Sequence, residues 1–198
     1  PDVGRAVEEA LRTLQSLGAT AVPIEVPSPE HLTELSRVLV YSEASAVHGS
    51  WLSTHAPEYS PQVRTRAATG LAIPAAAYQQ AQQLRPRLLR RFVETVFAGC
   101  DVLYLPTLGI PLPTLAETDV GSAAVMWDKI AVLVRCTAPF NYLGLPALSV
   151  PCGFTGNGLP TSFQVVARPF AEAVLLRVAH AFETATEWSR RVPSLPQA

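Results

Sequence analysis

The run Thr137-Ala-Pro-Phe-Asn-Tyr-Leu-Gly-Leu-Pro-Ala-Leu-Ser-Val-Pro-Cys-Gly-Phe154 decides how this chain reads. Pro139 and Pro146 fix their own φ, and Gly144 between them permits a positive φ. Asn141 can hydrogen-bond the backbone of its own loop. The segment therefore predicts a rigid, turn-rich loop aimed at the start of a strand over Ala147–Val150. Such a loop is either a stiff connection or part of a ligand-pocket wall, and Phe140 and Asn141 are the side chains on which that choice rests. Downstream, Gly156-Asn-Gly158 is a turn signal, and Ser162–Ala167 predicts a second strand able to pair with the first as a hairpin. A helix from about 170 to 188 follows, burying Val174, Leu175, Val178, Ala181 and Phe182.

Working upstream, residues 2–17 predict an amphipathic helix. Val3, Ala6, Val7, Ala10, Leu11, Leu14 and Leu17 recur at helical spacing, with Asp2 as a cap and Gly18 at the stop. Thr20–Val26 predicts a short strand. Ser28-Pro29 predicts the N-cap and first turn of a second helix running to about 53 through Leu32, Leu35, Val38 and Leu39. Pro57 and Pro61 break the chain over 55–62. A long helical region then covers about 62 to 98, interrupted at Pro74 and Pro86, with Tyr78, Ala81, Leu84, Leu88, Phe92 and Val96 as its apolar face. Val102–Leu105 predicts a strand, Pro106–Asp119 a Pro-rich loop, and 123–135 a helix. The Pro-rich tail 193–198 is expected to fray. The fold class is α/β, a mixed β-sheet flanked by helices, in a single domain over 1–198.

Composition narrows the partners. The chain has 198 residues, 48% hydrophobic and 16% charged, which is globular usage. A net charge of −1 supplies no pull toward nucleic acid or an anionic membrane. No apolar run approaches the ~20 residues a membrane span needs. The opening Pro1-Asp-Val-Gly reads as a helix start rather than a signal peptide, and without an initiator Met the chain reads as cut from something longer. Cys100, Cys136 and Cys152 are odd in number and far apart, which fits thiols in a reducing, cytoplasmic setting. No His/Cys/Asp spacing points to a metal, and no Gly-rich phosphate loop points to a cofactor; none is expected.

Several pieces fall in a characteristic order: Glu43-Ala44, Arg66-x-x-x-Gly70, Tyr78, Arg85, Asp101-Val-Leu-Tyr-Leu-Pro-Thr107, and then the 137–154 run with Gly158-Leu-Pro160, Phe163–Phe170 and Leu175–Glu183. With these the chain resembles the C-terminal portion of the amidase-signature enzymes (amidases and glutamyl-tRNA(Gln) amidotransferase A subunits). The resemblance implies amide hydrolysis through a Ser–cis-Ser–Lys triad and a Ser acyl-enzyme, with the 137–154 segment near the active-site cleft. It places Phe140 and Asn141 on the substrate side, and makes Arg66 the residue that clamps a substrate carboxylate, for which a guanidinium fork is suited. One departure stands out. Family members that transamidate tRNA-bound glutamate hold the substrate's amino group with an acid just before the Thr-x-Pro segment. Here Val134 and Arg135 occupy that neighbourhood, and Arg135 would repel an ammonium, so a general amidase fits better.

The triad itself is not in this stretch. There is no Ser-Ser pair and one lysine, Lys129, beside Asp128 on a predicted helix, a setting for a charged, solvated amine rather than a desolvated base. No Gly-x-Ser-x-Gly elbow occurs, Ser149 and Cys152 sit at a strand end without an evident histidine, and no catalytic residue is assigned. Two readings follow. The chain is part of an amidase, inactive alone, that meets its small-molecule amide substrate together with an N-terminal half. Alternatively, it is a non-catalytic module or pseudoenzyme fragment that self-associates as a homo-oligomer.

Overall fold

The computed structural model describes residues 2–119 and 123–191; the tail expected to fray lies outside them. The described chain divides into two compact units.

The first unit joins Pro1–Glu25, Val96–Leu112 and Pro146–Ala198. Its centre is a three-stranded sheet ordered β1–β3–β2, with β1 at Val102–Pro106, β2 at Ala147–Phe154 and β3 at Pro160–Ala167. The predicted hairpin forms: Val150 stands opposite Phe163 and Ala147 opposite Val166. β1 adds to the other side of β3, Tyr104 facing Val165. The helix-flanked sheet expected from the sequence is therefore present. Among the described residues all its pairings are antiparallel, and a mixed pattern would need a parallel neighbour that these three strands do not include. The prolines sit where a ladder tolerates them, Pro106 and Pro160 at strand ends and Pro151 in the edge strand beside a register shift.

Helices α1 (Asp2–Ser16) and α8 (Glu172–Ala185) cover one sheet face. Val3, Ala6, Val7, Ala10 and Leu14 of α1 meet Val150, Cys152, Phe163 and Val165 of the sheet and Leu175, Ala179 and Phe182 of α8. Phe163 is wholly buried, with Tyr104 at 4.9 Å on one side and Phe182 edge-on at 5.0 Å on the other. Asp2 does more than begin its helix: its carboxylate accepts the Gly156 N–H at 2.8 Å, tying α1 to the hairpin turn. Leu17, counted on the apolar stripe, falls beyond the last helical turn and is half exposed. The predicted strand at Thr20–Val26 is not formed. No described strand pairs with it, and Pro23 lacks the N–H a ladder would use.

The second unit joins Val26–Thr95 and Pro113–Leu145 and is helical. It contains α2 (Pro29–Thr54), α3 (Pro61–Thr69), most of α4 (Ala75–Val96), a short α5 (Leu115–Thr118), α6 (Ala123–Val134) and α7 (Ala138–Leu143). Ser28 precedes α2 but does not cap it with its side chain; it adopts φ 49°, and its carbonyl accepts the Leu32 N–H. α3 is capped as the sequence chemistry allows at Ser60, whose Oγ accepts from Val63 N–H. Pro74 separates α3 and its following 3-10 turn (Gly70–Ala72) from α4, whereas Pro86 is accommodated inside α4. α5 lies within the expected loop and carries a reciprocal cap between Thr114 and Glu117. The segment 137–144, expected as a turn-rich loop, is α7: Pro139 occupies a first-turn position, where its missing N–H costs nothing, and Gly144 at φ 71° closes the helix. Among the described residues no helix is long and apolar enough to cross a membrane.

The Phe163 ring is the hub of the first unit, so Phe163→Ala is expected to destabilise the protein by about 3–5 kcal/mol, measured by denaturant unfolding.

Candidate functional site

A close approach of two helices sets up the site in the second unit. Gly70 lies against α2 so tightly that a Cβ there would overlap the Tyr41 carbonyl oxygen and the Ser45 Oγ. The Ser45 hydroxyl donates to the Ala67 carbonyl of α3. These contacts hold the last turn of α3 on α2 and carry Arg66 with it. The Arg66 guanidinium carbon lies 5.7 Å from the Tyr41 ring centroid, in cation–π range. Its Nε is buried and makes no hydrogen bond to a described residue. A buried donor in this state carries a penalty of about 1–3 kcal/mol that an acceptor would relieve.

α7 brings the second polar group. Phe140 and Tyr142 fasten it. Phe140 is 2% exposed and packs edge-on against Phe92 of α4 at 6.1 Å, and the Tyr142 hydroxyl donates to the Ala81 carbonyl at 2.6 Å. At the helix end Arg85 lies over Gly144, where a Cβ would come within 2.6 Å of its Nη2. Asn141, one residue on from Phe140, is turned by the helical period onto another side and lines a cavity of about 220 Å³ together with Arg66. Phe140 does not line that cavity; it stands behind it, in the core, because residues 140 and 141 of a helix point about 100° apart.

Tyr41, Trp127, Ile130 and Val134 complete most of the cavity's apolar wall. Glu34 also borders it and is engaged by Arg37. Arg135, expected to repel an ammonium, is instead a surface residue whose side chain is 71% exposed and pairs with Glu30 at 3.5 Å. Val134, its neighbour, faces the cavity. At this point of the cavity wall an apolar side chain stands where an acid would be needed to hold an ammonium. The cavity thus combines the Arg66 guanidinium, the Asn141 amide and the Arg37–Glu34 ion pair with apolar walls, and with Glu34 already paired the guanidinium of Arg66 suits an anionic or carbonyl head. Sequence patterning singled out Arg66 and Asn141 but missed Tyr41 and Trp127. Tyr41 sits at a helical interval from the apolar face of α2 and reads there as core, and the aromatic spacing of Trp127 carries no signal of its neighbour.

The first unit holds a larger cavity of about 530 Å³ between the end of α1, residues 17–24, β1 and α8. Its lining is mainly apolar, and its Tyr104 hydroxyl is already committed to the Val7 carbonyl at 2.6 Å. The other nucleophile candidates fare no better. Cys152 is 3% exposed in the core between α1 and the sheet, and burial pushes its thiol up to about 11. The Ser149 hydroxyl shares a 2.9 Å hydrogen bond with Thr107, and among the described residues no histidine is hydrogen-bonded to either side chain. Lys129 donates to the Glu117 carbonyl at the end of α5. Trp51 is 57% exposed and stacks on His55, while Trp188 packs against the core of the first unit.

An antiparallel sheet backed by two helices, joined in one chain to a helical unit with a cavity lined by Arg66 and Asn141, defines an α/β protein. Residues 1–176 match the family model described as Amidase, and the chain belongs to the amidase family. It is 35% identical over 219 residues to the glutamyl-tRNA(Gln) amidotransferase A subunit of Moorella thermoacetica, covering 98% of this chain and 43% of that protein. It is likewise 35% identical over 196 residues to an amidase of Pseudomonas putida, covering 98% and 42%. A crystal structure of an amidase superposes with a TM-score of 0.77 at 28% identity, over 92% of this chain and 41% of that one. The chain therefore spans less than half the length of these relatives.

Two outcomes test this description. Gly70→Ala is expected to cost about 1–3 kcal/mol by forcing α3 off α2, seen as a lowered unfolding midpoint. For Cys152 the folded thiol binds its proton more tightly than the unfolded one. Its contribution is complete below about pH 9 and is lost as pH rises through about 11. The stability difference between the wild type and Cys152→Ala should shrink across that window in chemical-denaturation curves.

Proposed function

We propose that this chain is the substrate-binding portion of an amide-hydrolysing enzyme, inactive alone, in which Arg66 and Asn141 contact the substrate and Phe140 holds the helix that presents Asn141. The observation that carries the reading is the Arg66 side chain lining one cavity together with Asn141, in a chain of the amidase family. The family match runs through both compact units, which supports reading them as parts of one amidase domain. A carboxylate or the carbonyl of the scissile amide would accept from Arg66, and the Asn141 amide could donate beside it or accept.

The reaction would be attack by a Ser on the amide carbon, expulsion of the protonated amine from the tetrahedral adduct to leave a Ser ester, and hydrolysis of that acyl-enzyme by water, with N–H donors on the oxyanion. The nucleophile and its base belong to the N-terminal half that the resemblance implies. The chain has no Ser-Ser pair, and its one lysine is engaged at Glu117, which supports an inactive state for the chain by itself. The partners are then that half and a small amide, with neither nucleic acid nor membrane in direct contact and no cofactor. Three cysteines scattered along the sequence accord with a cytoplasmic setting.

The test is hydrolysis of a panel of aryl and aliphatic amides by this chain alone and after the N-terminal half is supplied in trans. Activity only on complementation, reduced at least about 100-fold by Arg66→Ala for carboxylate-bearing substrates, is the expected result. Turnover by this chain alone, lost in Ser149→Ala or Cys152→Ala, would overturn it. Failure to complement, with a molecular mass that rises with concentration, would favour a self-associating, non-catalytic module.

A further inference from the structure

The Arg66 cavity has a neighbour. A second cavity of about 400 Å³ in the same unit is lined by Val38, Thr69 and Ile73, and the two share Arg37, Tyr41 and Trp127. The shared rings form a wall, with centroids 5.3 Å apart and planes inclined at 53°. The two halves of this wall differ in how firmly they are held. Tyr41 is 4% exposed, its ring lies under the Arg66 guanidinium, and its carbonyl oxygen is against Gly70. Trp127 is half-buried on α6, and its packing against Tyr41 is its ring contact in the wall.

We infer that Trp127 is a specificity-determining residue. It closes the Arg66 cavity against its neighbour and so limits the length of the molecule anchored at Arg66. The inference rests on the reading of Arg66 as a carboxylate anchor. A cavity of about 220 Å³ is of the order that holds one ring with a short acidic arm, since an apolar cavity of roughly 150 Å³ suffices for benzene. The class selected is a monocarboxylate with a single ring or a branched chain of similar bulk. It carries no ammonium group, because Val134 and Ile130 line the wall and Glu34 is engaged by Arg37. Removing the indole would join the two cavities. The added lining, Val38 and Ile73 with the Thr69 side chain, is mainly apolar and would take an extended hydrocarbon body.

The test measures binding of phenylacetate and of 6-phenylhexanoate to the chain by calorimetry, in the wild type and in Trp127→Ala, Trp127→Leu and Arg66→Ala. Thermal melts identify variants that remain folded, and Trp127→Leu serves if the alanine variant does not. The wild type should bind phenylacetate about tenfold more tightly than the longer acid, and loss of the indole should shift that ratio by about tenfold toward the longer acid. Arg66→Ala should weaken both. A folded Trp127 variant whose two affinities change in equal proportion would overturn the partition while leaving the anchor standing. Unchanged binding in Arg66→Ala, or no binding of either acid to the wild type, would overturn the anchor and the partition with it.

Discussion

No side chain larger than a hydrogen fits at residue 70, and the helical unit is arranged around that fact. With glycine there, the end of α3 comes into contact with the backbone of α2, and Ser45 closes the contact with a hydrogen bond to Ala67. The result is positional precision for Arg66, four residues earlier, whose long side chain would otherwise sample many rotamers at a cost of up to about 2 kcal/mol on ordering. The Tyr41 ring supplies the floor beneath it. A close backbone approach thus becomes a guanidinium held in a cavity, the feature on which the proposed substrate contact rests.

The second polar group is placed by a different device. Between Thr137 and Gly144 the chain makes fewer than two helical turns, too short to be stable by itself. It is held because alternate faces are fastened, Phe140 against Phe92 and Tyr142 to the Ala81 carbonyl, with Arg85 over the closing glycine. What remains, Asn141, is the face that borders the cavity. Tertiary contacts here override a sequence whose prolines and glycine read equally well as a turn-rich loop. Pro139 is compatible with both, since the first turn of a helix needs no N–H from it.

In the sheet unit, the same physics works against catalysis by the chain's own groups. The pairing of β2 with β3 sends Val150 and Cys152 inward onto α1 and α8, and the desolvation that stabilises the core keeps the Cys152 thiol protonated. Ser149 faces away and is bonded to Thr107. A nucleophile needs a hydrogen-bonded base and a partly polar setting; Cys152 is in an apolar core, and among the described residues no histidine is hydrogen-bonded to Ser149. The described residues of this amidase-family chain, which spans less than half its relatives' length, thus show no evident nucleophile at Ser149 or Cys152.

Local chemistry was enough to determine most elements. The apolar stripe of α1, the Gly156-Asn-Gly158 turn with its flanking strands and the Pro74 break follow from side-chain period and backbone allowance, which act within a few residues. The motif order also marked Arg66 and Asn141. What the sequence could not determine depends on groups far apart in the chain. Thr20–Val26 has strand composition but no described partner, and a strand exists only through the hydrogen bonds of a neighbour. Phe140 and Asn141 look alike as loop residues until the helix sends them to opposite duties. Tyr41 and Trp127 lie 86 positions apart in the numbering, and only packing brings their rings to 5.3 Å. Tertiary structure alone decides such a wall, because burial and aromatic contact are properties of pairs of surfaces, and the sequence specifies each surface separately.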